Sequence, residues 1–196
     1  MRHGLSVLFA GAAVALATAT SAHAQVSITP LVGAYIPAGD LKAVRNGFET
    51  AVLDRDGTLA LGLNLEFGML RGSLAYASGT TIRDADEEDI GEGSVLTAAA
   101  DIVFRPLPRI LVQPYLLGGV GLKNASYDRE TTDLLAPFPE DDSDLSLHAG
   151  IGADLMLGRF GLVAELTDYI SKDEAGDWGM HDAFLMAGIK YRLGGK

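Results

Sequence analysis

The stretch Thr58–Phe67, TLALGLNLEF, carries two faces in strict alternation. Leu59, Leu61, Leu63, Leu65 and Phe67 fall on one face; Ala60, Gly62, Asn64 and Glu66 fall on the other. A period of two belongs to a β-strand whose sides meet different surroundings. The pattern returns at Leu145–Leu157, where Leu145, Leu147, Ala149, Ile151, Ala153, Leu155 and Leu157 oppose Ser146, His148, Gly150, Gly152, Asp154 and Met156. It returns again at Ala183–Leu193. In all, eight segments alternate: Val26–Ile36, Thr58–Phe67, Met69–Ser78, Ser94–Arg105, Arg109–Lys123, Leu145–Leu157, Phe160–Ile170 and Ala183–Leu193. Each has about the 9–11 residues of a tilted membrane strand, or somewhat more.

The connections alternate as well. Gly68, Pro106-Leu107-Pro108 and Gly158-Arg159 mark tight turns, whereas Pro37–Gly57, Gly79–Gly93, Asn124–Asp144 and Ser171–Asp182 are long. Short turns at one end and long loops at the other are the habit of an eight-stranded antiparallel up-and-down transmembrane β-barrel. An even strand number places both termini at the short-turn, periplasmic end. Pro30 and Pro114 fall inside two of the strands, where each removes a ladder donor and predicts a local irregularity.

In a soluble barrel the bulky apolar face fills the interior and the charged face meets water. Here four or five Leu, Ile, Val or Phe per strand would overfill an eight-stranded interior. The opposite face, rich in Gly, Ala and Ser with isolated charges, suits a crowded lumen. The apolar face therefore points to lipid. Phe67, Phe104, Phe160 and Tyr191 stand on it beside short turns or the last strand's end, as an interfacial girdle requires.

The chain of 196 residues has no cysteine and a formal charge of −11, which excludes a disulfide framework and argues against nucleic acid as a partner. Arg2 and His3 precede an apolar run from Leu5 to Ala19 that closes in Ala22-His23-Ala24. These are the parts of a cleavable signal over 1–24, leaving Gln25 as the mature start and 25–196 as the barrel domain. The four long loops hold 21 acidic and 6 basic residues, so the negative charge belongs to the external end.

TPLVGAYIPAGDL (29–41), VQPYLLGGVGL (112–122) and LMAGIKYRL (185–193) resemble the small outer-membrane β-barrel family, which comprises the opacity-type surface proteins and the OmpA-type transmembrane domain. The resemblance spans nearly all of the expected mature chain and implies a place in a Gram-negative cell envelope. It also implies that Gly188, Tyr191 and Leu193 form the signal read by the barrel-assembly machinery. Met186 stands where that signal prefers a polar residue, and the chain ends in Gly194-Gly195-Lys196 instead of an aromatic. Outer-membrane lipid and lipopolysaccharide are the other implied partners. Members include adhesins, small-solute pores and anchors, so the resemblance does not select a role.

Candidate site residues come from the lumen face. Glu66, Arg71, Asp101, Arg105, Asp154, Glu165, Lys190 and Arg192 lie in the lower half of their strands, four acids and four bases. Buried charges persist when paired, which predicts one mutual network with Glu66–Arg71 and Glu165–Lys190 as its first pairs. Above it, small residues such as Gly62, Ala75, Gly121 and Gly150 predict an open vestibule lined by Tyr35, His148, Tyr169, Phe184 and Met186, able to hold a small amphipathic ligand. No Ser, His and acid converge in sequence to suggest catalysis, and His181-Asp182 reads as a solvated loop pair. No cofactor is implied. Asp86, Glu87, Glu88 and Asp89 are candidates for weak Ca²⁺ or Mg²⁺ binding, but lack the spacing of a defined calcium loop. The expectation is a non-enzymatic envelope protein with acidic external loops and a charge-plugged lumen. The alternative is a small-solute channel or ligand-binding barrel.

Overall fold

The computed structural model describes residues 26–38, 41–45, 48–83, 89–107, 111–129, 141–172 and 178–193. The expected signal, Gln25 and Arg109 lie outside them, as does the chain between Arg83 and Asp89 that carries Asp86, Glu87 and Glu88. Ten strands follow in order: β1 Val26–Ala38, β2 Leu41–Arg45, β3 Phe48–Arg55, β4 Thr58–Phe67, β5 Leu70–Arg83, β6 Asp89–Phe104, β7 Val112–Arg129, β8 Asp142–Leu157, β9 Phe160–Lys172 and β10 Trp178–Leu193. Eight of them close a ring of antiparallel ladders: β1–β4–β5–β6–β7–β8–β9–β10, and β10 back to β1. Closure satisfies every strand edge, which a sheet in lipid requires.

Gly68 and Gly158 turn the chain at one end with φ of 64° and 69°, a left-handed conformation that glycine adopts without a Cβ clash. At the other end the strands run beyond their expected limits. β5 continues to Arg83, β7 to Arg129 and β9 to Lys172, and β6, β8 and β10 begin early, at Asp89, Asp142 and Trp178. Much of what reads as loop is thus ladder, because hydrogen bonding to a neighbouring strand carries the backbone past the apolar alternation. The first long connection holds the β2–β3 hairpin, and β3 docks on β5 through Asp54↔Arg83 and Arg55↔Ile82.

Pro114 stays in register opposite Ala153. Pro30 interrupts only one ladder: β1–β10 pairs Ile28↔Tyr191 and then Leu31↔Gly188 in unchanged register, while Pro30 pairs with Leu63 on β4. A proline has no donor to give there. The Pro30 carbonyl approaches Gly188 so closely that a Cβ at 188 would lie 2.1 Å from it.

The two faces separate as their alternation demands. Leu59, Leu61, Ile102, Leu145, Ile151, Phe160 and Leu162 are exposed on the outside, whereas Glu66, Arg71, Asp101, Asp154, Glu165 and Lys190 are buried inside. An apolar exterior around a charged interior is the inverse of a soluble protein and the surface of a barrel in lipid. At the short-turn end Phe104 and Phe160 are exposed, and the Phe160 and Tyr191 rings lie 5.0 Å apart.

Candidate functional site

The lumen fills with three hydrogen-bonded layers. Nearest the short turns, Glu66 and Arg71 face each other across the β4–β5 ladder. Arg71 gives Nε and Nη2 to Glu66 Oε1 at 3.0 and 2.5 Å, and Nη1 to Glu165 Oε2 at 2.9 Å. Arg105 Nη2 reaches Glu66 Oε2 at 2.9 Å and Asp154 Oδ2 at 3.0 Å. Lys190 Nζ spans the same two carboxylates at 2.9 and 2.8 Å. Three acids and three bases therefore close one network, with Glu66 accepting from all three cations. The Tyr115 ring lies 4.8 Å from one guanidinium (Arg71) and 5.3 Å from the other (Arg105), while its hydroxyl donates to Glu165 at 2.7 Å. Stacking of this kind suits the planar, weakly hydrated Arg head.

Six of the eight expected lumen charges meet in this layer. Asp101 stands apart: it accepts from Ser73 Oγ at 2.9 Å and faces His148 Nδ1 at 2.7 Å. Arg192 lines the open mouth below, a recess of about 310 Å³ shared with Ser27, Gln113 and Arg105. The expected Glu165–Lys190 pair does not form. Glu165 lies opposite Met186, and Lys190 opposite Gly161, four residues lower on β9. The stagger sends Lys190 across the lumen to Glu66 and Asp154, and leaves Glu165 to Arg71, Asn64 and Tyr115.

The middle layer overturns the open vestibule. Tyr35, His148, Tyr169, Phe184 and Met186 do gather in the upper lumen, but all five are buried. His148 stacks on Tyr169 at 4.1 Å, Tyr169 meets Phe184 edge-on at 5.7 Å, and Phe184 lies 5.1 Å from Tyr35. The small residues leave no room, because the large ones occupy it: a Cβ on Gly62 would stand 2.9 Å from Met186 Cε, and one on Gly121 3.2 Å from Tyr169. The gap left beside His148, Glu165 and Tyr169 measures about 10 Å³, at most one water.

A third layer, absent from the expectation, caps the second. Asp182, read as a solvated loop residue, is fully buried. It accepts from the Tyr35 hydroxyl, from Arg55 Nη1 at 3.0 Å and from Lys123 Nζ at 2.7 Å. Arg55 comes from the end of the β2–β3 hairpin, and its Nε and Nη2 are buried without partners. Asp182 is in phase with Phe184 and Met186, and Lys123 with Tyr115, Leu117 and Gly121, so alternation held the signal for both. Nothing in the sequence placed Arg55.

Of the acidic run, Asp89 receives Arg83 Nε at 2.9 Å, and Arg83 Nη2 also meets Asp56 at 2.9 Å. Among the described residues no group of three or more His, Asp or Glu stands ready for a metal ion. Gly188, Tyr191 and Leu193 lie in β10, beside the seam where the ring closes on β1.

The chain has the fold of a small outer-membrane β-barrel of eight strands. Among solved structures it is similar to the outer membrane protein OprG from Pseudomonas aeruginosa, at 14% identity and a TM-score of 0.66, covering 88% of this chain and 97% of that one. It is also similar to Neisserial surface protein A, at 13% identity and a TM-score of 0.49 over 86% and 97% of the two chains. A third likeness, to Yersinia pestis Ail, has 20% identity and a TM-score of 0.44 over 87% and 100%. The first superposes well enough to show the fold, and at that identity the fold alone. No family model and no curated protein sequence matches the chain.

Proposed function

We propose that the barrel is a non-conducting, non-enzymatic protein of the outer membrane, with both termini periplasmic, that presents an acidic external surface to its surroundings. The observation that carries this reading is the filled lumen. The ionic layer, the aromatic layer and the Tyr35–Arg55–Lys123–Asp182 cap succeed one another with space for about one water between the first two. An eight-stranded barrel is only wide enough for its side chains to fill, and here they do. The charge of the long connections, 21 acidic against 6 basic residues, supports surface duty at that end. The channel reading would need a continuous path, and the ligand-binding reading an open vestibule; the side chains packed in the described part of the lumen count against both.

The test is planar-bilayer recording on purified mature protein. Silence is expected, with folding checked by the heat-sensitive gel mobility of the same sample. Steady, well-resolved single-channel conductance overturns the closed-lumen reading.

A further inference from the structure

One acidic side chain faces the wrong way. On β9 the lumen residues are Val163, Glu165, Thr167 and Tyr169, all buried, so Asp168 points outward between Leu166 and Ile170. Its Oδ2 lies 2.6 Å from Nδ1 of His181, which shares the outer face on β10. The Nδ1–Oδ2 contact is a hydrogen bond between the two side chains. His181 Nε2 takes no part in that bond, and a hydroxyl, both donor and acceptor, can pair with it whichever way the proton lies. Asp168 Oδ1 is buried and without a partner.

The register places this pair in a trough. Gly118, Ala149, Asp168 and Ala183 lie side by side across β7, β8, β9 and β10. Below them runs a row of Leu116, Ile151, Leu166 and Leu185; above runs Val120, Leu147, Ile170 and His181. Leu116, Ile151 and Leu166 on one side, Ala149, Asp168 and Ala183 along the floor, and His181 with Ala38 on the other side line a groove of about 660 Å³ on the lipid side. Four strands spaced about 4.8 Å apart give it a length of roughly 14 Å, room for a length of extended acyl chain. It crosses the barrel obliquely because the strands tilt. Asp168 is eight residues above the short-turn end of β9 and four below its other end, so the groove lies in the long-loop half.

We propose that this groove binds a hydroxyacyl chain of lipopolysaccharide, with the chain in the trough and its hydroxyl hydrogen-bonded to the Asp168–His181 pair at His181 Nε2. A polar pair set in an apolar groove calls for a hydroxyl on an otherwise apolar ligand. A plain acyl chain would leave His181 Nε2 unsatisfied in lipid, where no water replaces the lost bond. Lipopolysaccharide follows from the orientation proposed above, which puts the long-loop half in the outer leaflet, and the inference rests on that reading.

The test uses purified protein in phosphatidylcholine nanodiscs, with two probes that differ by one hydroxyl: β-hydroxymyristoyl and myristoyl monoglycerides. Binding is read by native mass spectrometry. The wild type should prefer the hydroxylated probe at least tenfold. Asp168→Asn and His181→Phe should erase that preference while still taking either chain, and Ala149→Leu should reduce both by filling the trough. Folding of each variant is checked by gel mobility. Equal binding of both probes to the wild type, or a preference unchanged in Asp168→Asn, overturns the site. So does tighter binding of an aminophospholipid through the same residues. A hydroxyl preference in a protein whose long loops label only from the periplasm overturns lipopolysaccharide as the source and the orientation with it. A conducting wild type that keeps the preference overturns the closed lumen and leaves the groove standing.

Discussion

The two ionic clusters of the lumen solve one problem with different materials. The lower one draws every charge but Arg105 from within regular strands, balances three acids against three bases, and gives each cation two carboxylate contacts or more. The upper one has one acid, Asp182, for two bases, and one of those bases arrives on a hairpin. The lower cluster is redundant in bonds and fixed by the ladders around it. The upper cluster rests on a single shared carboxylate and lies toward the long-loop end, where one of its cations arrives from the end of a hairpin. Burial makes both sensitive to loss of a partner; the freedom to relax sets how much of that cost appears as lost stability.

The comparison breaks first at Glu66. Glu66→Gln removes the carboxylate shared by Arg71, Arg105 and Lys190, and leaves one positive charge in excess where strands cannot part. A loss of about 3–5 kcal/mol is expected, the range for a buried pair that loses one partner. Urea unfolding of the refolded barrel in lipid measures it. A loss below about 1 kcal/mol would mean that water already reaches this layer.

Asp182→Asn should cost less overall, about 1–3 kcal/mol, because the amide keeps acceptor capacity and Arg55 can withdraw to solvent. Its larger effect is local. Freed of Arg55, the β2–β3 hairpin should be cleaved by added protease faster than in the wild type, while the rest of the barrel stays protected. Protease resistance equal to wild type would show that the Asp54↔Arg83 and Arg55↔Ile82 bridges hold the hairpin without the buried ion pair.

This contrast also marks how far the sequence can be read. Strand number, the tight turns, the inside and outside faces and the lower charges follow from alternation, which is local. What depends on the depth and stagger of distant strands does not. Tyr35 and Asp182 are 147 positions apart, and Arg55 reaches them from a connection whose own apolar pattern is too short to place it. Small residues on a lumen face mark a close approach, and without the opposite wall they cannot be told from an empty space. Gly62 and Gly121 face Met186 and Tyr169, not a cavity. Asp168 is one acidic residue on an apolar face, and its meaning appears only when His181 and the alanine row stand beside it.

Glu165 offers the finest test, because sequence and structure name different partners for it. Adjacent strands and opposite charge point to Lys190, but adjacency fixes neither height nor reach. Glu165 pairs across β9–β10 with Met186, and Lys190 with Gly161. Arg71, on β5 and separated from β9 by β10, β1 and β4, delivers Nη1 to Glu165 at 2.9 Å across the lumen. Two double-mutant cycles decide between them: Glu165→Gln with Arg71→Met, and Glu165→Gln with Lys190→Met. Residues in one contact couple by roughly 0.5–3 kcal/mol, while separated ones add within about 0.5. The Arg71 cycle should fall in the upper half of the first range, since both groups are buried. The Lys190 cycle should stay near the additive limit, with only the indirect link through Glu66 and Arg71 to carry coupling. Reversal of that order would mean that β10 sits four residues out of the register seen here, with Lys190 raised to the level of Glu165.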